Sequence, residues 1–230
     1  MKSIKSCSIC GGSEFSYSEV LWPELISAWE LVPYEAEYIN RQQGFSCMDC
    51  GNNLRSMALA DTLLNYYEFS GVLVEFVVSD IANNVNLLEI NEAGGLSEAL
   101  SKMPNRSLIE YPEYDIQNLP FESEIFDIVL HSDTLEHIYD PVKALVECRR
   151  VLKRDGACLY TVPVVVNRLS RSREGLAASY HGSNNADQSD LKVHTEFGAD
   201  VWKYAFEAGF KTTTLHCLEY PAGIAIEARV

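Results

Sequence analysis

Residues 119–156 read L-P-F-E-S-E-I-F-D-I-V-L-H-S-D-T-L-E-H-I-Y-D-P-V-K-A-L-V-E-C-R-R-V-L-K-R-D-G, from Leu119 to Gly156. Residues 126–130 are a short apolar run with β-branched members, bounded by acidic turn residues, which predicts a buried strand. Asp140-Pro141 predicts a helix start, with Asp as N-cap and Pro at the first helical position. Apolar residues then recur at Val142, Leu145, Val146, Val151 and Leu152, which is helical spacing. Asp155-Gly156 stops the helix, and residues 157–162 predict the next strand. Strand, loop, helix, tight turn and strand make a βαβ unit, and hence a parallel sheet.

Four pieces of this stretch occur in an order that resembles one family: Leu119-Pro120-Phe121, the F-D-I-V of residues 126–129, the L-E-H-I of residues 135–138 and the R-V-L-K-R-D-G of residues 150–156. Together they resemble the class I S-adenosylmethionine-dependent methyltransferases, type 11-like. Arg154-Asp155 stands where that family usually has Pro-Gly. The resemblance covers roughly residues 85–230. It implies an α/β, Rossmann-like sheet that is parallel apart from a C-terminal antiparallel hairpin.

The acidic balance bounds the partners. With 18 Lys and Arg against 33 Asp and Glu, the formal net charge is −15. That disfavours nucleic acid, because neutralising phosphates needs a basic surface. No apolar run reaches the length of a membrane span, and the first residues lack the apolar core of a signal peptide. The expectation is a cytoplasmic protein with no membrane partner.

The seven cysteines divide unevenly. Cys7, Cys10, Cys47 and Cys50 form two C-x2-C pairs, each followed by glycine. Cys148, Cys158 and Cys217 are scattered in apolar contexts. Paired C-x2-C in such a chain points to a metal rather than disulfides. Four thiolates make a closed tetrahedral site, structural rather than catalytic, and zinc is the expected ion. Residues 1–53 thus read as a zinc ribbon with a 36-residue insert between the knuckles. The insert carries two helical patterns around Pro33, whose aromatic residues are expected to dock it on the main body. Residues 54–84 read as connecting helices, and residues 85–230 as the methyltransferase domain.

The resemblance also assigns a cofactor, S-adenosylmethionine, and the residues toward it. Residues 86–90 read as the first core strand, leading into N-E-A-G-G-L-S. The family has an acid followed by glycines as E-x-G-x-G-x-G. Glu89 fits the acid, Asn91 replaces the first glycine, Ala93 the second, and Gly95 fits the third. Asn tolerates left-handed backbone and Ala is small, so the turn keeps its path. Glu110, ending the second strand, matches the acid that accepts from both ribose hydroxyls. Asp115 and Ile116 match the pair that meets the adenine. Asp115 follows Glu110 by only five residues, so a helix is missing there and the third strand is shortened or lost. His131 and Ser132, after the next strand, are placed at the methionine end.

Residues 163–194 form a long polar connection, of the kind that serves as a lid or substrate loop. Three arginines, Arg168, Arg171 and Arg173, fall within six residues of it and suit a phosphate or carboxylate. His181, His194 and His137 are the candidate general bases. Residues 195–209 read as a helix capped by Thr195, followed by the closing hairpin. The chain is thus expected to move a methyl group to an oxygen or nitrogen of a small-molecule or sugar-type acceptor. The alternative is a catalytically inert methyltransferase-like module whose zinc ribbon binds protein partners.

Overall fold

The computed structural model describes residues 4–180 and 191–230. The chain opens with the first cysteine pair and strand β1 (Phe15–Tyr17), then helices α1 (Pro23–Ala28) and α2 (Pro33–Gly44), then β2 (Phe45–Cys47), which pairs antiparallel with β1. Both helices begin on proline, where the missing N–H would have had no helical partner anyway. Trp29 Nε1 donates to Ser179 Oγ at 2.8 Å, and the Tyr38 hydroxyl accepts the Val166 amide at 3.0 Å. The insert is therefore docked by its aromatic residues. Helix α3 (Leu54–Tyr66) follows the second cysteine pair, with Asn53 Oδ1 accepting the Ser56 amide at 2.9 Å as its cap. The rest of the connecting segment is a single turn, α4 (Leu73–Phe76), and a 3-10 turn at Ala82–Asn84.

Next come β3 (Leu87–Ile90), α5 (Ser97–Leu100), β4 (Arg106–Ile109), β5 (Phe126–Ser132), α6 (Pro141–Val151) and β6 (Leu152–Thr161). After β7 (Val164–Val165), β8 (Arg171–Ser172), β9 (Thr195–Gly198) and α7 (Trp202–Glu207), the hairpin of β10 (Thr212–Leu218) and β11 (Gly223–Arg229) ends the fold. The main sheet has the order β10-β11-β6-β5-β3-β4. The four strands β4, β3, β5 and β6 are parallel, and β11 and β10 join antiparallel. This is a mixed α/β, Rossmann-like sheet. Among the described residues no strand lies beyond β4, so the third strand is missing and β4 is the edge.

Strand alternation sends successive side chains to opposite faces, and here both are covered. Leu87, Ile128, Leu130 and Leu159 face α3 through Leu59 and Leu63. Leu88, Val129, Cys158 and Tyr160 face α6 and α7 through Leu145, Cys148 and Ala205. The scattered motif pieces are physically tied. Arg150 donates to the carbonyls of Phe121 at 2.7 Å and Leu119 at 3.0 Å, and Glu147 Oε2 accepts the Leu119 amide at 2.9 Å. The L-P-F turn is thus held by the helix that follows it. Gly156 is required where the chain re-enters the sheet, since a Cβ there would sit 2.9 Å from the Asp127 carbonyl oxygen.

Two expectations change. Thr195 caps no helix: it begins β9, the centre of a small sheet ordered β7-β9-β8, and α7 starts only at Trp202. Residues 163–194 accordingly contain two strands of that sheet, β7 and β8, rather than a bare loop. Non-local pairing has outweighed local helical pattern.

Tyr160 is fully buried, and among the described residues its hydroxyl has no partner. An unbonded buried hydroxyl is costly. Tyr160→Phe is expected to raise the unfolding free energy by about 1 kcal/mol in chemical denaturation; a loss of that size would show that the hydroxyl is bonded.

Candidate functional site

β3, β4 and β5 end side by side, and the turns leaving them enclose a cavity of about 530 Å³. Its wall includes Asn91, Glu110, Asp115, Ile116, Asp133, His137, Tyr139 and His194. In open α/β sheets this is the place where ligands sit.

The turn after β3 is built from unusual backbone. Asn91, Glu92 and Gly94 have φ of 56°, 40° and 57°. Asn is among the few residues that accept this region, and Asn91 Oδ1 also takes the Tyr111 amide at 2.8 Å, tying the turn to the end of β4. Glu89 is fully buried beneath it. One of its oxygens accepts the Ala93 amide at 2.7 Å and the other meets Arg106 Nε at 2.5 Å. Glu89 and Ala93 therefore shape the turn from below, and neither is part of the cavity wall. Gly95 lies on the far side, against the second cysteine knuckle. A Cβ on it would fall 1.8 Å from Asn52 Oδ1.

Glu110, Asp115 and Ile116 all reach the cavity. Asp115 Oδ1 also accepts the Gln117 amide at 2.8 Å, closing its own turn. His131 and Ser132 do not reach it. His131 is fully buried, stacked on Tyr160 with centroids 5.1 Å apart, and burial lowers its pKa to about 3. Its position in β5 puts it on the α6 face, with Val129. Ser132, on the other face, shares a 2.8 Å hydrogen bond with Thr161.

The residue that sequence reading missed is Arg55, in the first turn of α3. It is 8% exposed and its Nη2 is paired with Asp133 Oδ2. Its Nε and Nη1 have no acceptor among the described residues. Burial raises the pKa of Asp133 against the pull of Arg55, and burial followed by the Asp133 charge raises that of Glu136 well above the carboxylate range. Arg55, Asn52 and Gly94 line a second hollow of about 740 Å³, which meets the first at Glu92. Buried N–H groups without acceptors call for an explanation, and a ligand carboxylate supplies one. The fully conventional signal for Arg55 is weak: an arginine in a helix start next to a C-x2-C pair.

Among the candidate bases, His194 and His137 are both at the cavity, and His181 lies outside the described residues. Burial and then the Lys192 charge lower the His194 pKa. His137 Nδ1 is 3.2 Å from the Lys192 carbonyl oxygen.

The four N-terminal cysteines come together as their spacing predicts. Their sulfurs all lie within 4.8 Å of one another, with Cys7–Cys50 at 3.7 Å and Cys10–Cys47 at 3.6 Å. Thiolates set tetrahedrally about 2.3 Å from a zinc ion would be about 3.8 Å apart, and a disulfide would need about 2.05 Å. The amides of Ile9 and Gly12 point at Cys7 and Cys10 sulfurs, each at 3.4 Å, as thiolate partners do. The arrangement fits one tetrahedral ion.

Contact between Gly95 and Asn52 makes the knuckle and the turn one unit. Gly95→Ala is expected to cost about 1–3 kcal/mol of stability. In a double-mutant cycle with Asn52→Ala, the loss in the pair should fall below the sum of the single losses. Additive losses would show that the two do not press on each other.

Comparison with known proteins places this geometry. Residues 70–160 match the family model described as a methyltransferase domain. The chain is similar to a ubiquinone/menaquinone biosynthesis C-methyltransferase of Campylobacter jejuni, 29% identical over 126 residues, covering 54% of this chain and 50% of that protein. It is also similar to a glycine/sarcosine/dimethylglycine N-methyltransferase of Actinopolyspora halophila, 30% identical over 98 residues, covering 43% of this chain and 16% of the other. A solved S-adenosylmethionine-dependent methyltransferase of Thermotoga maritima aligns with a TM-score of 0.39 at 17% identity, covering 75% of this chain and 91% of that one. The chain spans about half the length of the Campylobacter relative. The match to a methyltransferase-domain model over residues 70–160 falls on the part of the chain that builds the parallel strands of the Rossmann-like α/β sheet.

Proposed function

We propose that this chain transfers a methyl group from S-adenosylmethionine to an oxygen or nitrogen of a small-molecule or sugar-type acceptor. The observation that carries the reading is one cavity, at the carboxyl ends of β3, β4 and β5, whose wall holds Glu110, Asp115 and Ile116 together with His194, whose pKa is lowered by burial. When bound, S-adenosylmethionine supplies a methyl group on a sulfonium sulfur. Glu110 would accept from two ribose hydroxyls, and Asp115 with the Ile116 amide would receive the adenine edge. The free N–H groups of Arg55 would hold the amino-acid carboxylate across the turn at residues 91–95. His194 would take the acceptor's proton on an unprotonated ring nitrogen. The rest of the protein's contribution is positioning.

Carbon and nitrogen acceptors are named for the two relatives, and those acceptors are theirs. The proposed oxygen or nitrogen acceptor here rests on a histidine, His194, that lines the cavity and has a lowered pKa. The inert-module reading draws on the replaced glycines, Asn91 and Ala93, and on the absence of a strand beyond β4 among the described residues. In either reading the four cysteines are proposed to bind a structural zinc ion, with the ribbon a surface for protein partners.

Titration calorimetry with S-adenosylmethionine is expected to give micromolar binding, weakened about tenfold or more by Arg55→Ala and by Glu110→Ala. Absence of binding would leave the inert module. Under turnover, His194→Gln is expected to lower kcat about a hundredfold or more. Because burial depresses the His194 pKa, the rate should already be on its plateau at neutral pH and fall only on acidification below the ordinary 6.5. An acid limb at or above that value would assign the base elsewhere. Elemental analysis should find one zinc per chain, lost with Cys47→Ser, and chelation should lower Tm; an ion-free chain of unchanged Tm would remove the metal.

A further inference from the structure

Arg168, Arg171 and Arg173, which the sequence bunches together, converge in space on one carboxylate. Arg173 Nη1 is paired with Glu196 Oε1, Arg171 Nε lies 2.8 Å from Oε2 and Arg168 Nη1 lies 3.5 Å from Oε2. Glu196 is 2% exposed and Arg173 is 6% exposed. The other carboxylate at the cluster, Glu30, bonds Arg171 at 3.0 Å but is largely in solvent, with its side chain 71% exposed. The nearby Asp200 is already engaged by Lys203 and by the Ser170 amide. Among the described residues, three guanidinium groups thus share one buried negative charge.

Arg173, the buried one of the three, shares its counter-charge with two other guanidinium groups, so the cost of burying it is only partly offset. The hydrogen-bond pattern tells the same story. Arg173 Nε and both Nε and Nη2 of Arg168 are buried with no acceptor among the described residues. In a chain of net charge −15, such an excess of positive charge in one place is a local feature, not the general field.

Arg173 opens onto a cavity of about 460 Å³. Lys192, Ser172 and Tyr204 also line it. Asp140 and Glu174 lie on its wall too, but Asp140 is spent on the Lys143 amide as a helix cap. The cavity shares Tyr139 and His194 with the one at the strand ends, and those two rings meet edge to face with centroids 5.8 Å apart. His194 is therefore the wall between the two spaces.

We propose that this second cavity is the methyl-acceptor site, and that the acceptor carries an oxyanion, carboxylate or phosphate, which is neutralised by the Arg173 end of the arginine cluster. The inference rests on the methyltransferase reading. It restricts the substrate class to small anionic molecules whose nucleophile sits at His194 while the anionic group reaches Arg173. Glu196 is a positioning residue: it holds the three arginines in place and sets how much positive charge is left for the ligand.

The test titrates inorganic phosphate and, separately, acetate into the full chain, with S-adenosylmethionine binding measured on the same samples. At least one anion is expected to bind saturably, with a dissociation constant of roughly 1 mM. The one that binds tells phosphate from carboxylate. Lys192→Ala, at an exposed position, should weaken it about threefold, and Arg173→Gln about tenfold or more. Glu196→Gln, which keeps the shape but removes the resident charge, should tighten it. That opposite sign separates a binding site from simple loss of folding, and Lys192→Ala decides the matter if either buried variant fails to fold. Saturation by neither anion, or binding indifferent to Lys192→Ala and Arg173→Gln, overturns the proposal. If the cofactor binds and neither anion does, the acceptor site falls and the methyltransferase reading stands. If an anion binds in the predicted way and the cofactor does not, the oxyanion site stands and its role as an acceptor site falls.

Discussion

The buried carboxylate of Glu89 ties together more of this molecule than any other group. A lone carboxylate in the middle of a sheet would be forced to neutralise or to move. Here one oxygen is answered by Arg106 on the neighbouring strand and the other by the Ala93 amide in the turn above. The first bond fastens β4 to β3 at an edge that has lost its outer neighbour. The second fixes a turn in which three residues have left-handed backbone. Both hollows at the strand ends are framed by that turn, so a charge inside the sheet decides the shape of the space outside it. Removing Arg106 alone would leave the worst case, an unanswered buried charge.

The N-terminal cysteines enter the same construction from the other side. The second knuckle runs directly into the cap of α3, through Asn52 and Asn53, and Arg55 sits in the first turn. Asn52 Nδ2 stays close to the Cys50 sulfur at 3.5 Å while its oxygen faces Gly95. Cysteine knuckle, helix start, buried arginine and turn are thus consecutive links. The ribbon is part of the wall of the site rather than an attachment to it.

What could be read from residues alone was local. The β5–α6–β6 unit was legible because caps, periodicity and turn residues all agree over 38 residues, and the L-P-F turn is bonded to a helix within that span. The cysteine site was legible because two knuckles carry their own geometry. Arg55 was not, since its meaning comes from Asp133, far along the chain. His131 was placed toward the cofactor by its position after a strand core, but β5 continues to Ser132 and alternation turns the ring to α6. Thr195 has the look of a cap, and only the partners supplied by β7 and β8 make it a strand. The arginine cluster was visible as composition, while its shared carboxylate, on another strand, was not.

The hairpin that closes the sheet has an effect on how the chain is built in time. β11 lies inside the sheet, between β6 and β10, and α3 packs across it. The amide of Ile4 and the side chain of Arg41 are likewise bonded to Glu219. During synthesis, then, helix α3 and the cysteine segment leave the ribosome long before the surfaces they cover exist. Helix α3 can pack on β3, β5 and β6 earlier, but the part of it that meets the hairpin has to wait for residues 212–229, roughly 10 s or more at ordinary elongation rates. Such long-range closure slows folding and leaves apolar surface of the nascent chain exposed in the meantime.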